Sequence, residues 1–221
     1  ALVARVEGLG RAGDLVRIDG AKPEIGDGAT AETHVEALRM SRPLVAEVGT
    51  KKSKRSPAPP FTTSTLQQEA ARKLGFSAAH TMRCAQSLYE AGAITYMRTD
   101  GVQMDMSAIL AARDAIAERF SEEYRPEKPR FYTSKAKNAQ EAHEAIRPTD
   151  FRKDRAGSGD EGKLYDLIFK RAMASQMASA DLEQTTIDLL STDKKTGLRA
   201  TGTVILFDET LRQSTHAGWP F

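Results

Sequence analysis

The apolar residues of this 221-residue chain change their repeat twice, and a fold must accommodate that nesting. Short alternating groups stand near both ends, whereas the apolar residues between them recur at helical spacing. Near the start, Leu15-Val16-Arg17-Ile18 and Leu44-Val45-Ala46-Glu47-Val48 are set apart by Gly, Asp and Pro and read as strands. One helix is expected among them, from about Ala29 to Met40, with Val35 and Leu38 on one side. Near the other end Thr185, Ile187 and Leu189 alternate with other side chains. The turn-like Asp193-Lys194-Lys195-Thr196-Gly197 follows, and then Leu198, Ala200, Gly202, Val204 and Leu206 alternate again, a β-hairpin signal.

The middle reads as helices. Thr63 to Leu74 opens on Ser and Thr, has Gln67 and Gln68 placed for capping, and meets Gly75 just past its end. Ser77 to Ala91 sets Ala78, Met82, Ala85 and Tyr89 along one stripe and stops at Gly92. A third helix opened by Ser107 aligns Ile109, Ala112, Ile116 and Phe120. The fourth, Asp160 to Met177, is apolar around much of its circumference and is expected to be the buried one.

The segment Lys51 to Pro60 divides the two textures. Its end, Pro57-Ala58-Pro59-Pro60, lacks most backbone donors and favours extended chain, so it reads as a linker or domain crossing. The expected fold class is therefore α+β, a mainly helical domain inserted into a small β domain. Residues 1–55 and 183–210 would supply the two halves of the β domain, residues 56–182 the helical domain, and residues 211–221 a loosely ordered tail.

Composition restricts the setting more than the function. No stretch approaches the ~20 apolar residues of a membrane span, and Ala1 to Glu7 lacks the basic start of a secretion signal. The single cysteine, Cys84, cannot form an internal disulfide, fits a reducing compartment and excludes a cysteine-rich zinc site. A soluble intracellular protein is expected, with no membrane partner. The net charge of +2 does not by itself announce nucleic acid. Locally, Lys51-Lys52-Ser53-Lys54-Arg55 is a basic run without an acid, equally suited to a solvated linker or to phosphate contact.

Two polar segments hold the candidate chemistry. Ile94-Thr95-Tyr96-Met97-Arg98-Thr99-Asp100 follows a helix end, where a loop can present a reactive side chain. A phenol with an ordinary pKa of ~10 is mostly neutral at neutral pH, and nearby positive charge favours its anion. In an extended stretch Tyr96 and Arg98 project to the same face, so a phenol oxygen and a planar fork of donors can address one phosphate. Taken alone, such a triplet more ordinarily means a core aromatic beside a surface cation. The second segment, Gln140 to Pro148, places His143 and Arg147 on one side if it forms a helical turn. His143-Glu144 begins like a zinc signature, but Arg147 stands where the second ligand would be, which rejects zinc; His143 is otherwise a structural histidine. No phosphate-binding glycine loop, nucleophile elbow, dinucleotide fingerprint or tight Asp-x-Asp cluster is present. His34, His80 and His216 have no companions at ligand spacing and read as structural or surface residues.

In these segments the chain resembles the type IA DNA topoisomerases, the bacterial topoisomerase I group. The resemblance runs through Pro57 to Ala70, Leu88 to Asp100 and Ala139 to Asp150, with Val16 to Glu24 matching in outline. It implies the central arch of that family, its domains II and III. It implies that Tyr96 attacks one DNA strand and keeps the 5′ phosphate, that Arg98 positions the scissile phosphate, and that His143 joins the hydrogen-bond network of the site. Arg147 is implied as a phosphate contact, and Thr95, Lys51 and Lys52 are expected on the nucleic-acid side. The implied reaction relaxes negatively supercoiled DNA without ATP. Met97 favours the topoisomerase I branch over topoisomerase III, where proline is usual, and Gly101 replaces a common serine. The implied partners are single-stranded DNA at the cleavage site and the Toprim and N-terminal domains of the same polypeptide, expected outside this chain. The Toprim domain would bind Mg2+, leaving half an active site here and an isolated fragment inactive in relaxation. The implied setting is the bacterial cytoplasm, associated with the nucleoid.

Overall fold

The computed structural model describes residues 3–6, 11–133 and 144–207. They form two compact units. One contains the described residues up to Lys54 together with Asp181–Phe207; the other spans Arg55–Ala180. The chain therefore leaves the first unit, builds the second and returns, as the nested apolar pattern implies. The fold is α+β.

The first unit is a five-stranded sheet in the order β1-β2-β5-β4-β3, with one helix. Its strands are β1 (Val3–Val6), β2 (Arg11–Ile18), β3 (Leu44–Arg55), β4 (Ala180–Leu190) and β5 (Thr196–Phe207). β4 and β5 form the expected antiparallel hairpin, with Ile187 opposite Ala200 and Leu189 opposite Leu198. Leu189, Leu198 and Ala200 are buried, so the alternation reads correctly where the strands cross the middle of the sheet. Helix α1 (Gly28–Met40) begins at Asp27, whose carboxylate accepts the Thr30 N–H at 2.8 Å.

The segment Lys51 to Pro60 holds the crossing between the units, at Lys54 and Arg55, but its basic run is strand rather than solvated linker. Lys51 to Arg55 continues β3, which is exposed along its whole length. As an edge strand paired only with β4, it accommodates charged side chains that a central strand would bury. Lys54 Nζ lies 3.4 Å from Asp181 Oδ1.

The second unit is built from α2 (Thr63–Leu74), α3 (Ala78–Glu90), α4 (Met106–Arg119) and α5 (Gly159–Ser175), with a 3-10 turn at Glu122–Tyr124. α5 packs against the other three, and Leu164, Ile168, Ala172 and Met173 have no solvent exposure. It is the buried helix. Ile109, Ala112 and Ile116 of α4 point inward as their spacing predicts.

Two local readings need correction. Thr62 and Thr65 cap α2 through a reciprocal capping box; Gln67 does not, and Gln68 instead donates to the Ser64 hydroxyl at 3.0 Å. On α3 the inward stripe is Thr81, Cys84, Ala85 and Leu88, rather than Ala78, Met82, Ala85 and Tyr89. Both stripes have helical spacing; contact with α2 and α5 selects the one that buries Leu88 and leaves Tyr89 at the surface. Among the described residues no helix is long and apolar enough to cross a membrane.

Truncating the fully buried Ile168 to alanine removes side-chain volume at the centre of the helical unit. The expected loss is about 2–5 kcal/mol in chemical unfolding of the chain. The exposed Ile→Val or Leu→Ala type of change elsewhere gives no such guide; Leu110→Ala on the open face of α4 serves as the control, with a loss within about 0.5 kcal/mol.

Candidate active site

Helix α3 ends in a tight reversal. The N–H groups of Gly92 and Ala93 donate to the carbonyls of Tyr89 and Leu88, each at 2.8 Å, and Gly92 takes φ +69°. This left-handed position favours glycine because it has no Cβ. The chain then runs through the tyrosine segment as irregular backbone, with bends at Thr95, Met97 and Arg98. Tyr96, Arg98 and Asp100 are exposed while Met97 and Thr99 are buried, the period-two pattern of a strand. Ile94 and Met97, each 1 % exposed, anchor the segment in the helical core.

Two threonine hydroxyls hold the flanks of Tyr96. Before it, Thr95 Oγ1 donates to the Ala145 carbonyl at 2.7 Å and accepts the Arg147 N–H at 3.0 Å. The Thr95 N–H donates to the Arg147 carbonyl at 2.9 Å. After it, Thr63 Oγ1 donates to the Met97 carbonyl at 2.7 Å and accepts the Thr99 N–H at 2.8 Å. The Thr63 N–H completes the clamp on the Thr99 carbonyl at 2.9 Å. Tyr96 thus sits between two tied points, one on the first turn of α2 and one on the segment from Glu144 to Thr149.

That second segment is extended, not a helical turn. Ile146 bridges to Phe61 and Pro148 to Ile94, both antiparallel. The physical reason lies in Pro148, whose ring excludes the α conformation at the preceding Arg147. The buried Ala145 and Ile146 N–H groups are satisfied instead by the carbonyls of Gln103 and Phe61, each at 2.8 Å. The Phe61 ring in turn lies under the Arg171 guanidinium of α5, 4.6 Å from carbon to centroid. Burial lowers the Arg171 pKa from its ordinary value.

The candidate residues divide by surroundings. Tyr96 is 48 % exposed, and its ring meets the Tyr89 ring edge to face at a centroid distance of 5.3 Å. Arg98 is exposed. Arg147 is largely covered: its Nε donates to Glu144 Oε1 at 2.5 Å and its Nη1 to the Pro148 carbonyl at 2.9 Å. The same Glu144 oxygen accepts the Asp105 N–H at 2.9 Å, tying Arg147 to the start of α4. There Asp105 caps the helix, and the Ser107 hydroxyl, followed by the Ser107 N–H, holds its carboxyl below its ordinary pKa. His143 and His216 lie outside the described residues. Lys51 and Lys52 belong to β3 of the sheet unit.

Thr63, Tyr89 and Glu144 are functional neighbours that reasoning on local spacing missed. Thr63 is far from Tyr96 in the chain, so no spacing rule points to it. For Tyr89 a signal was present: Gly92 as a helix-ending glycine folds the last turn of α3 back toward the tyrosine segment.

A family described as DNA topoisomerase has a sequence model that matches residues 10–213. The chain is similar to DNA topoisomerase 1 of Zymomonas mobilis, 59 % identical over 204 residues, covering 91 % of this chain and 17 % of that protein. It is similar to DNA topoisomerase 1 of Xylella fastidiosa strain 9a5c, 44 % identical over 212 residues, covering 87 % and 26 % respectively. Among solved structures it resembles full-length topoisomerase I of Thermotoga maritima with a TM-score of 0.75 and 35 % identity, covering 92 % of this chain and 34 % of that one. The chain therefore spans between about a sixth and a third of the length of these relatives.

Replacing Thr63 with valine leaves the Met97 carbonyl and the Thr99 N–H without the hydroxyl they share. Thermal or urea unfolding should register a loss of about 1–3 kcal/mol, the cost of stranding buried polar groups. Thr63→Ser keeps the hydroxyl and should recover most of it.

Proposed function

This chain belongs to the DNA topoisomerase family, and on that premise we propose that it is the tyrosine-bearing section of a type IA enzyme. Its parent would relax negatively supercoiled DNA by breaking one strand, passing DNA through the break and resealing it. The observation that carries the reading is the presentation of Tyr96. Its segment buries Met97 and Thr99, is tied down on both sides, and leaves a half-exposed phenol with an exposed guanidinium two residues on in sequence.

In this reading the Tyr96 phenol oxygen attacks the phosphorus of a DNA strand. One P–O ester bond to the 3′ oxygen breaks and one P–O bond to tyrosine forms, leaving a 5′ phosphotyrosyl link. The phenolic proton departs and the leaving 3′ oxygen takes one up, so proton and bond counts balance. Because one phosphodiester is exchanged for another, the 3′ hydroxyl can reverse the attack without ATP. Arg98 supplies fixed positive charge to the phosphoryl oxygens as charge builds there. Arg147, held by Glu144, contributes a positive charge of fixed position behind Thr95, and His143 joins the hydrogen-bond network. Thr95, expected as a nucleic-acid contact, uses its hydroxyl to clamp the segment and would act on the DNA through the placement of Tyr96. The magnesium of the reaction would be bound by the Toprim domain of the parent. The partners are single-stranded DNA and the remaining domains of the same polypeptide, in the bacterial cytoplasm.

A second reading is favoured by β3. Lys51, Lys52, Lys54 and Arg55 stand exposed on one edge strand, so the isolated chain would act as a salt-sensitive DNA-binding module without catalysis.

In the intact parent enzyme, Tyr96→Phe should abolish both relaxation of supercoiled plasmid and the denaturant-resistant DNA adduct; retained relaxation overturns the assignment. Arg98→Ala should slow cleavage by about 10²- to 10³-fold, the scale of losing one donor to a developing oxyanion. For the chain by itself, incubation with single-stranded DNA and magnesium should yield binding but no adduct. Exchanging Lys51 and Lys52 together for alanine should flatten the dependence of log affinity on log salt by about 1.4, at ~0.7 per phosphate contact on a single strand.

A further inference from the structure

Tyr89 is an aromatic residue whose exposure the core does not explain. The phase of α3 puts Leu88 inside at 1 % exposure and leaves Tyr89 outside at 40 %. Its ring meets Tyr96 at 5.3 Å between centroids, with the planes inclined by 66°. That edge-to-face arrangement aligns the electron-poor rim of one ring with the electron-rich face of the other.

Both rings stand on backbones that are firmly placed. Tyr89 stands in the last turn of α3, next to buried Leu88, and its carbonyl accepts the Gly92 N–H at 2.8 Å. Tyr96 has a clamped backbone, but its side chain projects outward, and among the described residues no hydrogen bond reaches its hydroxyl. A phenol on two soft torsions sweeps its oxygen through an arc of several ångströms. In-line attack needs that oxygen within ~3–3.5 Å of phosphorus and aligned with the leaving bond, so an unconfined ring spends most of its time misdirected.

We propose that Tyr89 is a positioning residue for the reaction: its ring confines the Tyr96 ring to the orientation that aims the phenol oxygen at the scissile phosphate. This rests on the reading of Tyr96 as the nucleophile. The confinement comes from the face and edge of an aromatic ring, and the Tyr89 hydroxyl takes no part. The turn at Gly92 makes the arrangement possible, because it returns the chain past the end of α3 quickly enough for the two rings to meet.

The test uses the intact parent enzyme and a single-stranded oligonucleotide at saturating concentration, with magnesium. Tyr89→Leu should lower the single-turnover cleavage rate by about three- to tenfold, the scale of one aromatic pair. Oligonucleotide affinity, measured by fluorescence anisotropy in a Tyr96→Phe background, should be unchanged, and Tyr89→Phe should restore the cleavage rate. Three outcomes overturn the proposal. Unchanged cleavage in Tyr89→Leu denies any positioning role; a loss that Tyr89→Phe fails to rescue assigns the effect to the hydroxyl. A fall in affinity matching the fall in rate makes Tyr89 a nucleobase contact instead. If Tyr89→Leu fails to fold, Tyr89→Met carries the same comparison. The Tyr96→Phe adduct assay separates the two levels: adduct surviving there removes the nucleophile reading itself, whereas its loss, together with an unaffected Tyr89→Leu rate, removes only this inference.

Discussion

The rest of the candidate site depends on the hydroxyls of Thr63 and Thr95. Each serves at once as donor and acceptor to backbone groups that would otherwise be buried without partners. Through them a short irregular segment obtains hydrogen bonding that regular secondary structure would otherwise supply. The consequence is directional. With Met97 and Thr99 drawn into the core, the side chains between them must point out. Tyr96 and Arg98 both stand exposed because the residues alternating with them are buried and tied down.

The helical unit supplies the rigidity behind those clamps. Thr63 is on the first turn of α2, a helix closed by the Thr62–Thr65 capping box at one end and a left-handed Gly75 at the other. Ile146 is bonded to the carbonyl of Phe61, whose ring lies under Arg171 of the central helix α5. Glu144 joins Arg147 to the start of α4. Elements from three helices thus support one short segment. Dense packing behind it resists small shifts of its backbone. The proposed chemistry involves few side chains; holding the backbone of Tyr96 draws on most of the unit.

Much of the fold was legible before any coordinates. Helices α2 and α4 follow from apolar spacing, the β4–β5 hairpin from alternation around a turn, and the insertion of one texture into the other from their order along the chain. The failures have a common cause. Lys51 to Arg55 looks like a linker because charge and lack of apolar residues describe a solvated loop and a solvated edge strand equally well. The stripe on α3 was displaced because Ala78-Met82-Ala85-Tyr89 and Thr81-Cys84-Ala85-Leu88 both satisfy helical periodicity, and only the neighbours choose between them. The spacing of His143 and Arg147 allows a helical turn, but Pro148 disfavours the α conformation at Arg147.

The sequence by itself determined the four helices of the middle and the β4–β5 hairpin, that the helical part is nested within the β part, and that this is a DNA topoisomerase chain, since repeats, caps and long ordered motifs are local properties. Only the tertiary structure decided that Tyr96 stands at the surface, that Thr63 and Thr95 hold it there, and that Tyr89 meets it. Those depend on contacts between residues far apart in the chain or on a choice between two equally periodic faces. Local propensity is blind to both, and packing settles them.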